Sequence, residues 1–176
     1  FLDKVLDAGV RVLKIEGRGR SPEYVKVVTR VYRQAVDAWL NGEWSSEKLK
    51  QWNKELSSVY NRGFWDGYYL GQKVGEWSKG YGSQATTKKT FVGTVTNYFK
   101  NIGVAEIKIE TGNLTVGDRI YIMGTTTGVY EDTLQEIRVD LKTTDKAIKG
   151  EFCSIPTKSL IRRGDKVYVI EDIIPE

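Results

Sequence analysis

Apolar residues recur every three or four positions through the first third of the chain. Within residues 21–40 they form one stripe, made of Tyr24, Val28, Val31, Ala35 and Trp39. This spacing is typical of a helix with one buried face. Ser21 and Pro22 suit the cap and first turn of such a helix, and Asn41-Gly42 suits its end. The pattern therefore predicts a helix over Ser21–Leu40.

Two further helices are predicted on either side of this one. Leu2, Val5 and Leu6 share a helical face, and Gly9 follows as a stop signal. A third helix is predicted from Ser46 to a stop near Asn61-Arg62-Gly63, with its apolar residues at Leu49, Trp52, Leu56, Val59 and Tyr60.

Between the first two helices, Val10–Ile15 is rich in β-formers and predicts a strand. Helix, strand, glycine-rich loop and helix together indicate the α-β-α remnant of a parallel α/β fold, such as the end of a TIM barrel. Because strand side chains alternate, Lys14 and Glu16 are expected on the face opposite Leu13 and Ile15. In a TIM barrel that face is the lumen, where active sites lie. Lys14 and Glu16 then form either a structural ion pair or part of a ligand site.

The loop after this predicted strand reads Glu16-Gly17-Arg18-Gly19-Arg20. Glycines allow a ligand to approach the backbone closely, and arginine side chains bind oxyanions with paired N–H groups. The helix start at Ser21-Pro22 adds free amides at the same place. Lys14, Glu16, Arg18 and Arg20 are therefore candidate substrate- or anion-binding residues. The alternative is that the two arginines are simply solvated.

From Thr90 onward the helical spacing is replaced by short alternating runs. Six strands are predicted: Phe91–Tyr98, Val104–Glu110, Arg119–Met123, Thr133–Val139, Glu151–Ile155 and Lys166–Glu171. Residues 114–122 are echoed by residues 161–169, each run carrying Gly-Asp before a strand. This pattern predicts a small all-β barrel, so the fold class of the whole chain is α+β.

The composition changes near residue 85, within a stretch rich in glycine, serine and threonine that reads as a linker over residues 80–87. We therefore predict two domains: residues 1–85, the end of a TIM-barrel domain with a helical segment, and residues 86–176, a β-barrel accessory domain. Residues 1–87 hold 14 Lys and Arg against 10 Asp and Glu, whereas residues 88–176 hold 13 of each. Because positive and negative charges are equal in number in residues 88–176, strong electrostatic binding of this part to the RNA backbone is not expected.

Several kinds of chemistry are excluded by residues that the chain lacks. It has no histidine, so no imidazole base or ligand comes from it. A single cysteine, Cys153, excludes an internal disulfide and a multi-cysteine metal or iron–sulfur site. Flanked by Phe152 and Ile155 in a predicted strand, Cys153 fits a core position better than a nucleophile. We expect no peptidase turnover from this chain alone and no metal site within it.

Two segments resemble motifs of peptidase family U32, the collagenase-like peptidases. The first runs from Leu13 to Val25 and continues through Val31–Asp37, and the second is Asn61–Gly71. In the second, Arg62, Gly63, Phe64 and Gly67 match the family motif without a known role. The resemblance implies that Val10–Glu16 is the eighth strand of the barrel and Ser21–Leu40 its eighth helix. Two departures stand out: Gly19 replaces a bulkier residue, and Trp65-Asp66 replaces Thr-Thr.

What this resemblance implies about function has two branches. Some members are called peptidases, whereas others take part in hydroxylating RNA bases or the ubiquinone ring, with an iron–sulfur cluster held by cysteines in the preceding part of the chain. None of those cysteines is present here, so a cofactor is expected only in the parent protein. The second part of the chain, residues 93–169, is similar to the second-domain barrel of translation GTPases, which suggests docking to RNA or to protein.

The partners expected on these grounds are the missing N-terminal barrel portion of the same protein and an RNA or protein substrate. A third hypothesis is that both parts serve only packing and dimerisation. The unpaired edges of the predicted strand favour a homodimer of the isolated chain. No run of about 18 apolar residues is present, so no membrane-spanning helix is expected. A cytoplasmic location follows as an expectation, and the start at Phe1 suggests a cut piece.

Overall fold

The computed structural model describes residues 1–69, 71 and 82–173. The chain divides into two compact units, unit 1 with residues 1–86 and unit 2 with residues 87–176. Leu70 of the second motif, and Gly80 and Tyr81 of the predicted linker, lie outside the described residues.

Unit 1 contains three described helices, α1 (Leu2–Asp7), α2 (Pro22–Leu40) and α3 (Ser46–Ser58). Three members of the stripe predicted for α2 are buried, Val28, Val31 and Ala35, and they pack with Trp52 of α3 and Val59 into one core. Tyr24 packs against this core, whereas Trp39 is not part of it. The Ser45 hydroxyl accepts a hydrogen bond from Lys48 N (3.2 Å), which satisfies a free amide at the start of α3. At the other end of α2, Trp39 Nε1 donates to Asp7 Oδ1 (2.8 Å), which fixes α1 against it.

The strand predicted at Val10–Ile15 is not formed, and this prediction was wrong. No strand is found in residues 1–69, and every strand pair of the described chain lies in unit 2. A strand exists only where a neighbour accepts and donates its backbone hydrogen bonds, and residues 10–15 have no such neighbour. Side-chain burial nevertheless alternates here: Leu13 and Ile15 are half-buried, whereas Val12 is 83% exposed.

Unit 2 consists of ten antiparallel strands, which confirms the α+β class. They are β1 (Thr87–Phe99), β2 (Val104–Ile109), β3 (Asn113–Thr115), β4 (Arg119–Gly124), β5 (Gly128–Thr133), β6 (Ile137–Val139), β7 (Lys142–Thr144), β8 (Lys146–Ile148), β9 (Phe152–Pro156) and β10 (Lys166–Asp172). Eight of them form a sheet in the order β5-β4-β10-β1-β2-β9-β6-β7, and β3 pairs with β8.

The core of this β-barrel is filled from the inner face of each long strand. Its fully buried members include Val95, Ile107, Ile122, Ile155 and Val167, one from each of five strands. Cys153 lies among them and is 1% exposed, as its apolar neighbours predicted. Alternate residues of the same strands therefore point outward, which defines the outer face considered below.

The sequence echo between residues 114–122 and 161–169 corresponds to a repeated turn. Asp118 Oδ2 accepts from Thr115 N (2.8 Å), and Asp165 Oδ2 accepts from Arg162 N (2.8 Å). In both turns the Asp backbone N–H also donates to the carbonyl of the residue three positions earlier. Each turn then leads directly into a strand, β4 or β10, and these two strands pair with each other.

Two features of unit 2 differ from the prediction. The predicted strand Thr133–Val139 is formed only at its two ends: Thr133 is the last residue of β5, and β6 begins at Ile137. Leu134 N still pairs with Asp118 O (2.9 Å), next to the Arg119–Thr133 pair of β4 and β5, and most of β5 itself was not predicted. The three-residue strands β3, β7 and β8 were not predicted, since three residues are too few to show alternation.

Candidate functional site

The glycine-rich loop forms a tight turn in front of α2. Arg18 N donates to Glu16 Oε1 (2.6 Å), and Arg20 N donates to Gly17 O (3.0 Å). Gly19 has a φ of 69°, a left-handed conformation that glycine adopts without strain. This explains the departure noted at Gly19, because a bulkier residue there costs about 1 kcal/mol or more.

Lys14 and Glu16 are both exposed, on the side opposite Leu13 and Ile15. Ile15 packs against the helical core. Among the described residues no ion pair joins Lys14 to Glu16, and Glu16 instead stabilises the turn through Arg18 N. The two charges therefore need no mutual compensation in this chain, and a ligand role for them stays a prediction.

Arg20 and Arg62, one from each family motif, meet at the side chain of Tyr60. The Arg20 guanidinium lies 4.1 Å from the centroid of the Tyr60 ring and 5.8 Å from that of Tyr24. Arg62 Nε donates to the Tyr60 hydroxyl oxygen at 2.8 Å. We call these three residues, Arg20, Tyr60 and Arg62, the Tyr60 cluster. It places two exposed cations on one phenol, which is the arrangement that favours binding of an anion.

The electrostatics of this cluster follow from the two arginines. Hydrogen bonds from Arg20 and then Arg62 lower the pKa of Tyr60 from its ordinary value of about 10. Because the folded-state pKa is depressed, ionisation of Tyr60 stabilises the fold only at alkaline pH, and that stabilisation is lost as the pH falls through the folded-state pKa.

We predict that replacing Arg20 and Arg62 with glutamine raises the pKa of Tyr60 toward its ordinary value, because both hydrogen bonds that favour the phenolate are lost. The measurement is an ultraviolet pH titration of each protein against its own Tyr60→Phe derivative, so that the difference isolates one phenol. An unchanged Tyr60 titration in the Arg20→Gln/Arg62→Gln variant would show that the cluster does not exist in solution.

The second motif contributes backbone geometry as well as Arg62. Gly63 has a φ of 90°, and its N–H donates to Asn61 Oδ1 (3.1 Å). Gly67 has a φ of 65°, and a Cβ atom there would lie 3.3 Å from the Tyr69 ring. Phe64, between these two glycines, is 59% exposed. The two glycines thus supply turns that display Phe64 and its neighbours at the surface.

Part of this motif lines a groove of about 450 Å³ in unit 1, which we call the aromatic groove. Its walls come from α1, α2, α3 and the motif, and include Phe1, Trp44, Trp52, Phe64, Trp65 and Tyr69. Trp65, at the position where the family carries Thr-Thr, contacts Tyr68 edge-on with ring centroids 4.8 Å apart. The substitution therefore adds apolar surface at the groove.

The site thus joins some predicted residues and separates others. Arg20 and Arg62 meet, whereas Arg18, Lys14 and Glu16 have no described contact with the Tyr60 cluster. Tyr60 was predicted only as part of a helical stripe, and no local signal marks it, since its role depends on the fold bringing two motifs together.

Catalytic and metal-binding groups are not found beside these residues. Burial raises the pKa of the Cys153 thiol to about 12, so it is not a nucleophile at neutral pH. No group of three or more Asp, Glu or Cys side chains in the described residues is arranged to bind a metal. None of the described helices is long and apolar enough to span a bilayer. The arrangement can bind and orient an anionic ligand.

Comparison with known proteins identifies the class. Residues 1–79 match the model of peptidase family U32. The first part of the chain therefore carries the sequence pattern of that family, in agreement with its two predicted motifs.

Individual relatives fall into two named groups. The chain is 52% identical over 168 residues to a collagenase of Porphyromonas gingivalis, covering 96% of this chain and 46% of the relative. It is 30% identical over 142 residues to tRNA hydroxylation protein P1 of Bacillus subtilis, covering 77% of this chain and 32% of the relative. The chain thus spans about half the length, or less, of these relatives.

Two solved structures show a weaker likeness. The C-terminal domain of a U32 peptidase-like protein from Geobacillus thermoleovorans has a TM-score of 0.42 at 16% identity, covering 44% of this chain and 96% of that one. A bacterial selenocysteine-specific elongation factor has a TM-score of 0.35 at 17% identity, covering 46% and 14%.

Proposed function

We propose that this chain is the C-terminal, substrate-binding part of a collagenase-like peptidase of family U32. In the whole protein, α2 is the last helix of a TIM barrel, and unit 2 is an accessory barrel for substrate or partner docking. The Tyr60 cluster binds a carboxylate of the peptide substrate. The observation that carries this proposal is the meeting of Arg20 and Arg62, from two separate family motifs, on one phenol.

The chemistry of the cluster supports carboxylate binding. Two guanidinium groups offer several N–H donors to an anion, and the Tyr60 hydroxyl adds a further polar group beside them. Arg20 directly precedes the cap of α2, whose N-terminus carries partial positive charge. The aromatic groove, which shares the second motif, suits the apolar side chains of the same peptide.

The role is binding rather than catalysis because the chain lacks the groups for bond cleavage. It contains no histidine, and its one thiol is buried. Its relatives are about twice as long, so the reacting groups are proposed to come from the part of the protein that the chain does not cover. The exposed side chain of Val12 is proposed to contact the part of the protein that this chain does not cover.

The test uses the full-length protein and a gelatin peptide with a free C-terminal carboxylate. Arg20→Gln/Arg62→Gln is expected to raise KM about tenfold or more while leaving kcat within roughly threefold, because a charge-assisted contact made in both ground and transition state is lost. A C-terminally amidated peptide should have a similarly raised KM with the unaltered protein. Its KM should not rise further with the variant, because the contact is already lost.

The matched control is Lys4→Gln/Lys50→Gln, which removes the same charge from exposed positions of unit 1. If the control raises KM as much as the cluster variant, the effect is general electrostatics and carboxylate binding at Tyr60 is wrong. Absence of any gelatin cleavage by the unaltered full-length protein would contradict the peptidase proposal itself.

A second candidate function is RNA base hydroxylation, which the similarity to tRNA hydroxylation protein P1 favours. The Tyr60 cluster then binds a phosphate instead of a carboxylate, since both anions suit paired guanidinium donors. This alternative requires an iron–sulfur cluster in the rest of the protein, and a cytoplasmic location goes with it. Iron and sulfide in the purified full-length protein, together with loss of a hydroxylated tRNA base on deletion, would favour it over the peptidase.

A further inference from the structure

The outer face of the barrel in unit 2 carries lysines and aromatic rings in alternation. Six residues from four neighbouring strands define this lysine–aromatic face: Lys89, Phe91, Lys108, Phe152, Lys166 and Tyr168. Lys108, Phe152, Lys166 and Tyr168 face outward because their strand neighbours Ile107, Cys153 and Val167 are buried in the core. Phe91 lies on the same side as its cross-strand partner Tyr168, and Lys89 precedes Phe91 by two residues.

The strand register places these side chains in adjacent rows. Lys166, Thr94, Lys108 and Phe152 are successive partners across β10, β1, β2 and β9. In the neighbouring row Phe91 is the partner of Tyr168. The face therefore extends across four strands, or about 14 Å at the usual strand spacing.

Each ring in these rows has an ammonium group beside it. Lys89 Nζ lies 5.2 Å from the Tyr168 ring centroid, Lys166 Nζ 5.6 Å from that of Phe91, and Lys108 Nζ 5.7 Å from that of Phe152. Phe91 and Tyr168 also contact each other, with centroids 5.7 Å apart. Each ring of the face thus lies within cation–π range of one ammonium group.

Packing of the barrel does not require these rings. Phe152 is 49% exposed, whereas the next residue, Cys153, is 1% exposed. An antiparallel strand with one face in the core normally presents polar side chains on the other. One exposed ring and two half-buried rings on the outer surface, each beside a cation, instead match surfaces on which bases stack and phosphates are neutralised.

We propose that the lysine–aromatic face of unit 2 binds single-stranded nucleic acid. Bases stack on Phe91, Phe152 and Tyr168, and phosphates contact Lys89, Lys108 and Lys166. The face lies in a different unit from the Tyr60 cluster, so this proposal is independent of the peptidase proposal. Because residues 88–176 carry no net charge, the binding is expected to come largely from stacking.

The test is fluorescence anisotropy of the full 176-residue chain with a labelled oligouridylate of about 12 nucleotides. The double variant Lys108→Gln/Lys166→Gln is expected to weaken binding about tenfold. Phe152→Ala is expected to weaken it by about fivefold or more, because one stacked base is lost. The logarithm of the affinity should fall against the logarithm of salt concentration with a slope of about −2 for three phosphate contacts.

The matched control is Lys142→Gln/Lys146→Gln, which removes the same charge from exposed positions on the short strands β7 and β8. This control should bind within roughly twofold of the unaltered chain. Circular dichroism of every variant confirms that unit 2 is folded, so that a loss of binding reports on the face.

Three outcomes would overturn the proposal. The first is an equal loss of oligouridylate affinity in Lys108→Gln/Lys166→Gln and in its control Lys142→Gln/Lys146→Gln. The second is a loss of affinity in Arg20→Gln/Arg62→Gln while Lys108→Gln/Lys166→Gln binds normally. The third is binding of a labelled oligoglutamate, or of duplex RNA, as tightly as the oligouridylate, since neither ligand stacks bases on the rings. Oligoglutamate binding would identify the face as a docking site for acidic protein segments.

Discussion

Gly93→Ala is expected to lower the free energy of unfolding of unit 2 by about 3 kcal/mol or more. Gly93 lies in β1 beside the irregularity in its pairing with β10, and it pairs with Ile109 of β2. A Cβ atom there would lie 2.2 Å from the carbonyl oxygen of Lys108. Since this oxygen belongs to the backbone of the central strand β2, relief of the clash requires β1 and β2 to separate. Urea denaturation followed by circular dichroism measures the change.

The matched control is Gly112→Ala, at the turn between β2 and β3. Gly112 has a φ of 61°, and a Cβ atom there would approach only Val92, at 3.9 Å. Its replacement should cost about 1 kcal/mol, from the left-handed backbone alone. Equal losses at the two positions would show that the close approach of β1 to Lys108 is absent in solution.

Asp165→Ala and Gly124→Ala are each expected to destabilise unit 2 by about 2–3 kcal/mol, and the double variant should cost clearly less than the two together. Asp165 is buried, and its Oδ2 accepts hydrogen bonds from Arg162 N (2.8 Å) and Thr127 Oγ1 (2.6 Å). A Cβ atom on Gly124 would lie 1.8 Å from Asp165 Oδ1. The clash disappears once the carboxylate is removed, so a double-mutant cycle in urea denaturation measures the coupling.

Asp118→Ala is the control for this cycle, because Asp118 occupies the equivalent place in the first copy of the repeated turn and is less buried. Asp118→Ala should lower the free energy of unfolding by less than Asp165→Ala does. Its effect should be additive with that of Gly124→Ala. Strict additivity of Asp165→Ala with Gly124→Ala would mean that the side chain of Asp165 does not fill the space beside Gly124.

The elements that sequence predicted well are those fixed by local chemistry and long periodicity. Helix α2 has a Ser-Pro start and five turns of apolar stripe, and its bounds agree with the prediction within one residue. Strands β2 and β10 alternate over six or seven residues and were predicted nearly in full. The repeated Gly-Asp turn was visible because each copy must place an acceptor three residues after the amide that it binds.

The elements that sequence missed depend on partners distant in the chain. Val10–Ile15 has the composition of a strand, but pairing decides whether a strand forms, and the described chain supplies no neighbour. The bounds of β5 and β6 depend on their pairing with β4 and β9, which no local pattern reveals.

Prediction of the site was limited in the same way. Arg20 and Arg62 were found as separate motif residues, because glycine-rich loops and arginines are visible in sequence. Their meeting at Tyr60 requires the packing of α2 against α3, since Arg20 precedes one helix and Tyr60 follows the other. The lysine–aromatic face likewise depends on strand register, which brings Lys108 beside Phe152 from 44 positions away.

The placement of Cys153 in the core, together with the distribution of tryptophan, gives each unit its own spectroscopic or chemical reporter. All five tryptophans precede residue 87, whereas the single thiol is buried in the barrel. Tryptophan fluorescence, excited selectively over tyrosine, therefore follows the opening of unit 1 alone, and thiol-reagent uptake follows the opening of unit 2 alone. The unaltered chain thus allows the cooperativity between its two units to be measured without an added label.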